Sequence, residues 1–152
     1  MSAGFQIQYE ITDLSVTRKL QDLIAKAGNL TPAMRKIGQY MLRQTNVERF
    51  GKQKDPEGKK WLNLKDKTWK KKKKPVILTE EGTLKSNQNF KAESLSVSIG
   101  TTEGPVYAAI HQFGGEAGKN HKVKIPARPF LGFNEENKKM AIEKIRIFLG
   151  DK

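Results

Sequence analysis

AGFQIQYEITDLSVTRKLQDLIAKAGN, residues 3–29, changes its hydrophobic period halfway along. Phe5, Ile7, Tyr9 and Ile11 alternate with polar neighbours, the two-residue repeat of a half-buried strand. From Asp13 the repeat lengthens. Val16, Leu20, Leu23, Ile24 and Ala27 then fall on one face of a helix that Gly28-Asn29 would end. A chain that uses both periods in succession is expected to be α+β.

After this stretch, Thr31-Pro32 restarts a helix, with Thr31 as N-cap and Pro32 at the first helical position. Met34, Ile37, Met41 and Thr45 mark its buried side, and the pattern runs to about Phe50. Beyond Gly51 the periodicity fades until Pro75-Val76-Ile77-Leu78, a short apolar run closed by Glu80-Glu81-Gly82. Phe90, then Leu95, Val97 and Ile99 with serines between, predict a β-hairpin whose second strand covers about 94–101. Gly104-Pro105 opens a short helix that Gly114-Gly115 ends, and residues 114–124 read as a flexible glycine-containing loop. Val123–Ile125 leads into the stiff piece Pro126–Leu131. The last helix has Asn134 as N-cap, Glu135 and Glu136 in its first turn, and Met140, Ile145, Phe148 and Leu149 as apolar positions. The expectation is a single α+β domain over 1–152: a small, mostly antiparallel sheet packed with about three main helices, plus a long basic loop at 51–75.

The chain has 152 residues, 36% hydrophobic and 30% charged, which suits a soluble globular domain with a modest core. No apolar run approaches the roughly 20 residues of a membrane span, so no membrane partner is expected. The N-terminal stretch has neither a positive leader nor an apolar core, so no secretory signal is expected either. With no cysteine, disulfides, thiol nucleophiles and cysteine zinc sites are excluded.

Catalytic patterns are scarce, and neither an enzyme nor a cofactor is expected. His111 and His121 flank a glycine-rich stretch with no cysteine or patterned carboxylate beside them, which is too little for a transition-metal site. Phe113–Asn120 fails as a phosphate loop: Phe113 replaces the first glycine, Asn120 the hydroxyl residue, and a short helix precedes it where a strand belongs. Glu80-Glu81 and Glu135-Glu136 are explained by a turn and a helix start. Ser94, Ser96 and Ser98 alternate as the solvent face of a strand does.

The net charge of +13 is concentrated. Eleven lysines lie between Gly51 and Pro75, against only Asp55, Glu57 and Asp66. Trp61, with Leu62 and Leu64 beside it, reads as an anchor for this segment, while Asp55-Pro56-Glu57-Gly58 has type I turn chemistry. Lys65, Lys67, Lys70, Lys71, Lys72, Lys73 and Lys74 are the candidate contacts to a polyanion, either double-stranded DNA or an acidic partner protein. Because the segment has lysine and no arginine, contact with the nucleic-acid backbone is expected, without base readout. A monomeric or dimeric, sequence-independent nucleic-acid-binding module is the alternative that these residues leave open.

The order of segments resembles the phage virion morphogenesis family, the tail-completion proteins of Mu-like phages. The resemblance runs over about residues 12–149, from Leu30-Thr31-Pro32-Ala33-Met34-Arg35-Lys36-Ile37-Gly38 through Phe50, the 55–58 turn, Trp61 and Leu64. It continues through Ile77-Leu78-Thr79, Gly82 and Leu84. It is strongest at Tyr107-Ala108-Ala109-Ile110-His111-Gln112-Phe113-Gly114-Gly115 followed by Ile125-Pro126-Ala127-Arg128-Pro129-Phe130-Leu131-Gly132. The resemblance implies non-enzymatic structural work in the virion, at the head–tail junction or tail end, after assembly in the bacterial host cytoplasm. It implies a closed homo-oligomeric ring, hexameric or larger, meeting connector, tail-terminator or tail-tube proteins. Tyr107, Ile110, His111, Phe113, Arg128 and Phe130 are then the candidate subunit-interface residues. The run Lys70–Lys74 is denser than the family pattern needs.

Overall fold

The computed structural model describes residues 14–101 and 107–150. The strand expected at 3–11 and the helix start at Gly104-Pro105 lie outside the described residues, as do the side chains of Val16 and Leu23. Among the described residues there are six α-helices and two separate two-stranded antiparallel sheets, so the chain is α+β with its sheet divided.

Helix α1 (Leu14–Ala27) turns Leu20, Ile24 and Ala27 toward a buried cluster. It stops where Gly28 adopts φ +72° and donates its N–H to the Ile24 carbonyl at 2.8 Å. Helix α2 (Thr31–Arg43) follows, with Pro32 in its first turn. Thr31 is the first residue of α2, not its cap. The side-chain oxygen that meets its free N–H belongs to Asn29, Oδ1 at 2.9 Å. Ala33, Met34, Ile37, Gly38 and Met41 form the buried side of α2. Gly38 is a close-approach position: a Cβ there would stand 2.2 Å from the Phe90 ring, so the helix backbone lies directly on the strand carrying that ring.

Past Arg43 the helix widens into π-helical turns over Gln44–Gly51. The extra residue per turn lets two consecutive side chains, Arg49 and Phe50, both point inward. Phe50 meets Trp61 edge-on at 5.6 Å and Phe130 at 5.4 Å, in a cluster completed by Ile77, Leu84, Ala108 and Leu131. Arg49 instead enters a polar network. It donates to Thr45 Oγ1 and the Phe130 carbonyl, each at 3.3 Å, and to Asn137 Oδ1 at 3.1 Å. Asn137 in turn donates to the Tyr40 hydroxyl. A buried guanidinium is tolerated only with such bonds.

The second cluster joins Leu30, Ala33, Met34, Ile37 and Met41 of the first half to Ala141 and Ile145. These last two sit on helix α6 (Glu135–Phe148), which Asn134 and Asn137 open with a reciprocal capping box. The buried face of α6 is Asn137, Ala141 and Ile145, with Leu149 packed against the same cluster, whereas the expected apolar positions Met140 and Phe148 are 36% and 37% exposed. Strands β1 (Gln88–Ala92) and β2 (Val97–Thr101) pair Phe90 with Ile99, and Ile99 touches both clusters. Leu95, expected in the second strand, is exposed in the turn before it.

Two stretches expected as loops carry structure. In 51–75, Lys54 and Lys60 form an antiparallel bridge around the 55–58 turn, and helix α3 (Asp66–Trp69) follows, with the one-turn helix α4 (Thr83–Ser86) beyond the stretch. In 114–124, strand β3 (Gly115–Ala117) pairs with β4 (Val123–Ile125) across a turn in which Asn120 and His121 have φ +59° and +52°. Three-residue strands are too short to show a two-residue repeat, so composition alone reads them as loop.

Candidate functional site

The lysine segment is fixed by a small number of long-range bonds. Trp61, 6% exposed, donates its indole N–H to the Pro129 carbonyl at 2.8 Å. Arg128 donates through Nε to the Leu62 carbonyl at 2.7 Å and through Nη2 to the Asn63 carbonyl at 3.1 Å. Asn63 Oδ1 accepts from both the Leu64 N–H and the Trp69 indole. Asn134 reaches the Pro56 carbonyl, and Gln53 Oε1 takes the Ile77 N–H. Each bond satisfies a main-chain or indole group that irregular structure would leave bare.

The candidate lysines separate on this frame. Lys65, Lys67, Lys70, Lys71, Lys73 and Lys74 are exposed. Lys72 is not a free contact: its side chain is 13% exposed, and its ammonium lies 2.7 Å from Glu80 Oε2 and 3.2 Å from the Thr79 carbonyl. The Lys73 N–H also donates to Glu80, at 2.9 Å. The Lys72 hydrogen bond first, and the Lys73 backbone bond second, hold the Glu80 carboxyl below its ordinary pKa.

The candidate interface residues separate as well. Tyr107 and Phe113 are exposed, and Ile110 and His111 are half-buried around helix α5 (Ala108–Phe113). Arg128 and Phe130, at 4% and 0% exposure, are built into their own subunit. Arg128 holds the lysine segment, and Phe130 fills the cluster around Phe50. The residue that joins the two strongest sequence blocks is Gln112, which the sequence reading passed over. Its Oε1 accepts the N–H groups of Phe130 and Leu131, each at 3.0 Å, and its Nε2 donates to the Leu131 carbonyl at 2.8 Å. The available signal was indirect: an extended, proline-flanked segment must find partners for its main chain somewhere. Gly114, at φ +74°, lets the chain turn within contact distance of Ala127.

These pieces enclose a cleft of about 370 Å³, walled by Leu64, Leu78, Leu84, Tyr107, His111 and Arg128. The Tyr107 and His111 rings meet edge-on at 5.8 Å. His111 Nδ1 is buried there without a hydrogen-bond partner. Burial first, and the Arg128 charge second, lower the His111 pKa below its ordinary value, so the ring stays neutral. Among the described residues no three His, Cys, Asp or Glu side chains are placed to hold a metal ion. His121 sits apart, exposed in the β3–β4 turn. No helix among the described residues is long and apolar enough to cross a membrane. The site is therefore a partly apolar cleft beside a surface of exposed lysines.

The comparisons with known proteins agree with the block order. The model of the phage virion morphogenesis family matches residues 11–149. Mu-like prophage FluMu G protein 2 of Haemophilus influenzae is 34% identical over 143 residues, which cover 92% of this chain and 94% of that protein. No solved structure matches. The match takes in the 55–58 turn, the α5 block that carries Gln112 and the segment that Gln112 holds, so the frame that fixes the lysines lies within the family's span. This chain belongs to the phage virion morphogenesis family.

Proposed function

We propose that the chain is a tail-completion or neck component that assembles as a closed homo-oligomeric ring, hexameric or larger. Its place is the head–tail junction or tail end of the virion. Its exposed lysines face the backbone of packaged DNA or an acidic connector, tail-terminator or tail-tube protein. The observation that carries this reading is a division of labour within one segment. Lys72 is spent on Glu80, while Lys65, Lys67, Lys70, Lys71, Lys73 and Lys74 project from a base pinned by Trp61 and Arg128. Fixed lysines repeated around a ring sum to a field far above that of one subunit.

The test replaces the six exposed lysines by serine and keeps Lys72. The folded chain should survive with its melting temperature little changed, while particles lose DNA retention or fail to join heads to tails. If the isolated protein binds DNA through all six, the salt dependence has a log–log slope of about −5 that the variant abolishes. Unchanged particle yield and DNA content would sink the reading. Complete particles made without the protein, together with salt-sensitive DNA binding, would favour a free nucleic-acid-binding module.

A further inference from the structure

The cleft beside Arg128 contains an unbalanced charge. The guanidinium is 4% exposed and uses Nε and Nη2 on carbonyl groups, and among the described residues no carboxylate forms an ion pair with it. Glu80, on the same cleft, is already spent on Lys72. Leu64, Leu78 and Leu84 supply an apolar wall, and His111 Nδ1 adds an unpartnered polar atom. Buried cations without a counter-charge are costly, and a carboxylate entering with an apolar neighbour would relieve this one.

Such a surface exists on the same chain. Helix α6 buries Asn137, Ala141 and Ile145. At 100° per residue, Glu136, Met140, Glu143 and Ile147 fall together on another side, spaced four, three and four apart. All four are exposed, Ile147 to 61% and Met140 to 36%. Two carboxylates thus alternate with two apolar side chains along a stripe that no described element covers.

We propose that the Arg128 cleft receives the Glu136–Met140–Glu143–Ile147 stripe of a second copy of this chain, carboxylate to guanidinium and apolar side chain to leucine wall. This rests on the homo-oligomeric reading above and gives it an interface. Cleft and stripe are different surfaces of one subunit, so the contact is heterologous and each added copy leaves one of each free until the assembly closes.

The lack of native cysteine makes a clean test possible. Thr83 lines the cleft and is exposed, as is Ile147 on the stripe. Under mild oxidation the double variant Thr83→Cys/Ile147→Cys should give a ladder of disulfide-linked oligomers. The two single variants, mixed, should give only a mixed dimer. Adding Glu143→Lys, an exposed change that leaves the fold intact by circular dichroism, should cut the ladder at least tenfold. A ladder indifferent to Glu143→Lys, or a bridge formed within one chain, would overturn the interface. Sedimentation of the unaltered protein separates the two readings. Oligomers without a ladder overturn this interface and leave the ring, whereas monomers at every concentration without a ladder overturn both.

Discussion

Residues 51–75 and 114–125 look alike in sequence: polar, interrupted by glycine and poor in apolar rhythm. They are held by opposite means. The first has little regular structure and is fixed by side chains from distant parts of the chain, Arg128 on its carbonyls and its own Trp61 on Pro129. The second has a regular ladder, three paired positions from Gly115↔Ile125 to Ala117↔Val123, and its residues are mostly exposed. Regularity and fixedness are therefore separate properties. A segment without a hydrogen-bond ladder can be the firmer one when its few unpaired main-chain groups each meet a buried side chain.

The contrast can be broken most directly at Trp61. Trp61→Ala removes an indole packed against Phe50 and the bond to Pro129, and should cost about 3–5 kcal/mol in denaturant unfolding. A loss below 1 kcal/mol would mean that the lysine segment is not fixed from within. Next, Gln112→Ala removes the bonds that Gln112 makes to two buried N–H groups and one carbonyl. We expect a loss of about 2–3 kcal/mol. Amide exchange should quicken at residues 53–61, which depend on Pro129, and stay unchanged at 115–125.

A smaller effect follows from His111, whose pKa is lowered by burial first and Arg128 second. The folded state prefers the neutral ring, whereas the unfolded chain takes up a proton near pH 6.5. The unfolded state thus binds more protons below that pH. Stability is full above about pH 6.5 and falls as pH drops below it. Melting temperatures at pH 7.5 and 5.5 should show this fall, and His111→Leu should flatten it. The smallest effect belongs to the hairpin. Val123→Ser, at a half-exposed position, should change stability by no more than about 0.5 kcal/mol. Amides of 115–125 should be among the first to exchange. A hairpin as protected as Trp61 would erase the distinction.

How legible each part was depended on how local its cause is. The period of α2 and the Asn134 cap are written within a few residues, and both are present. On α6 the expected Ile145 and Leu149 do pack against the second cluster, but Asn137 is not legible as a core position, because its amide is satisfied by Arg49 and Tyr40 from far up the chain. Five consecutive lysines are chemically identical, so only the position of Glu80 decides that Lys72 is the one turned inward. Arg128 reads as a candidate subunit-interface residue until the carbonyls of Leu62 and Asn63 are placed beside it. In each case the missing information was a partner more than a few residues away.

Both apolar clusters close late in the chain. The first needs Phe130 and Leu131, the second Ala141 and Ile145, and Arg49 waits for Asn137, 88 residues downstream. Contacts of such long separation form slowly and only after the later partner exists. A nascent chain that has emerged as far as residue 120 therefore carries two open clusters and a lysine segment that still lacks its anchors at Arg128, Pro129 and Asn134. Translation itself acts as a timer: a chain that stops short of Ile145 leaves the second cluster open, and only one that runs past it can close both.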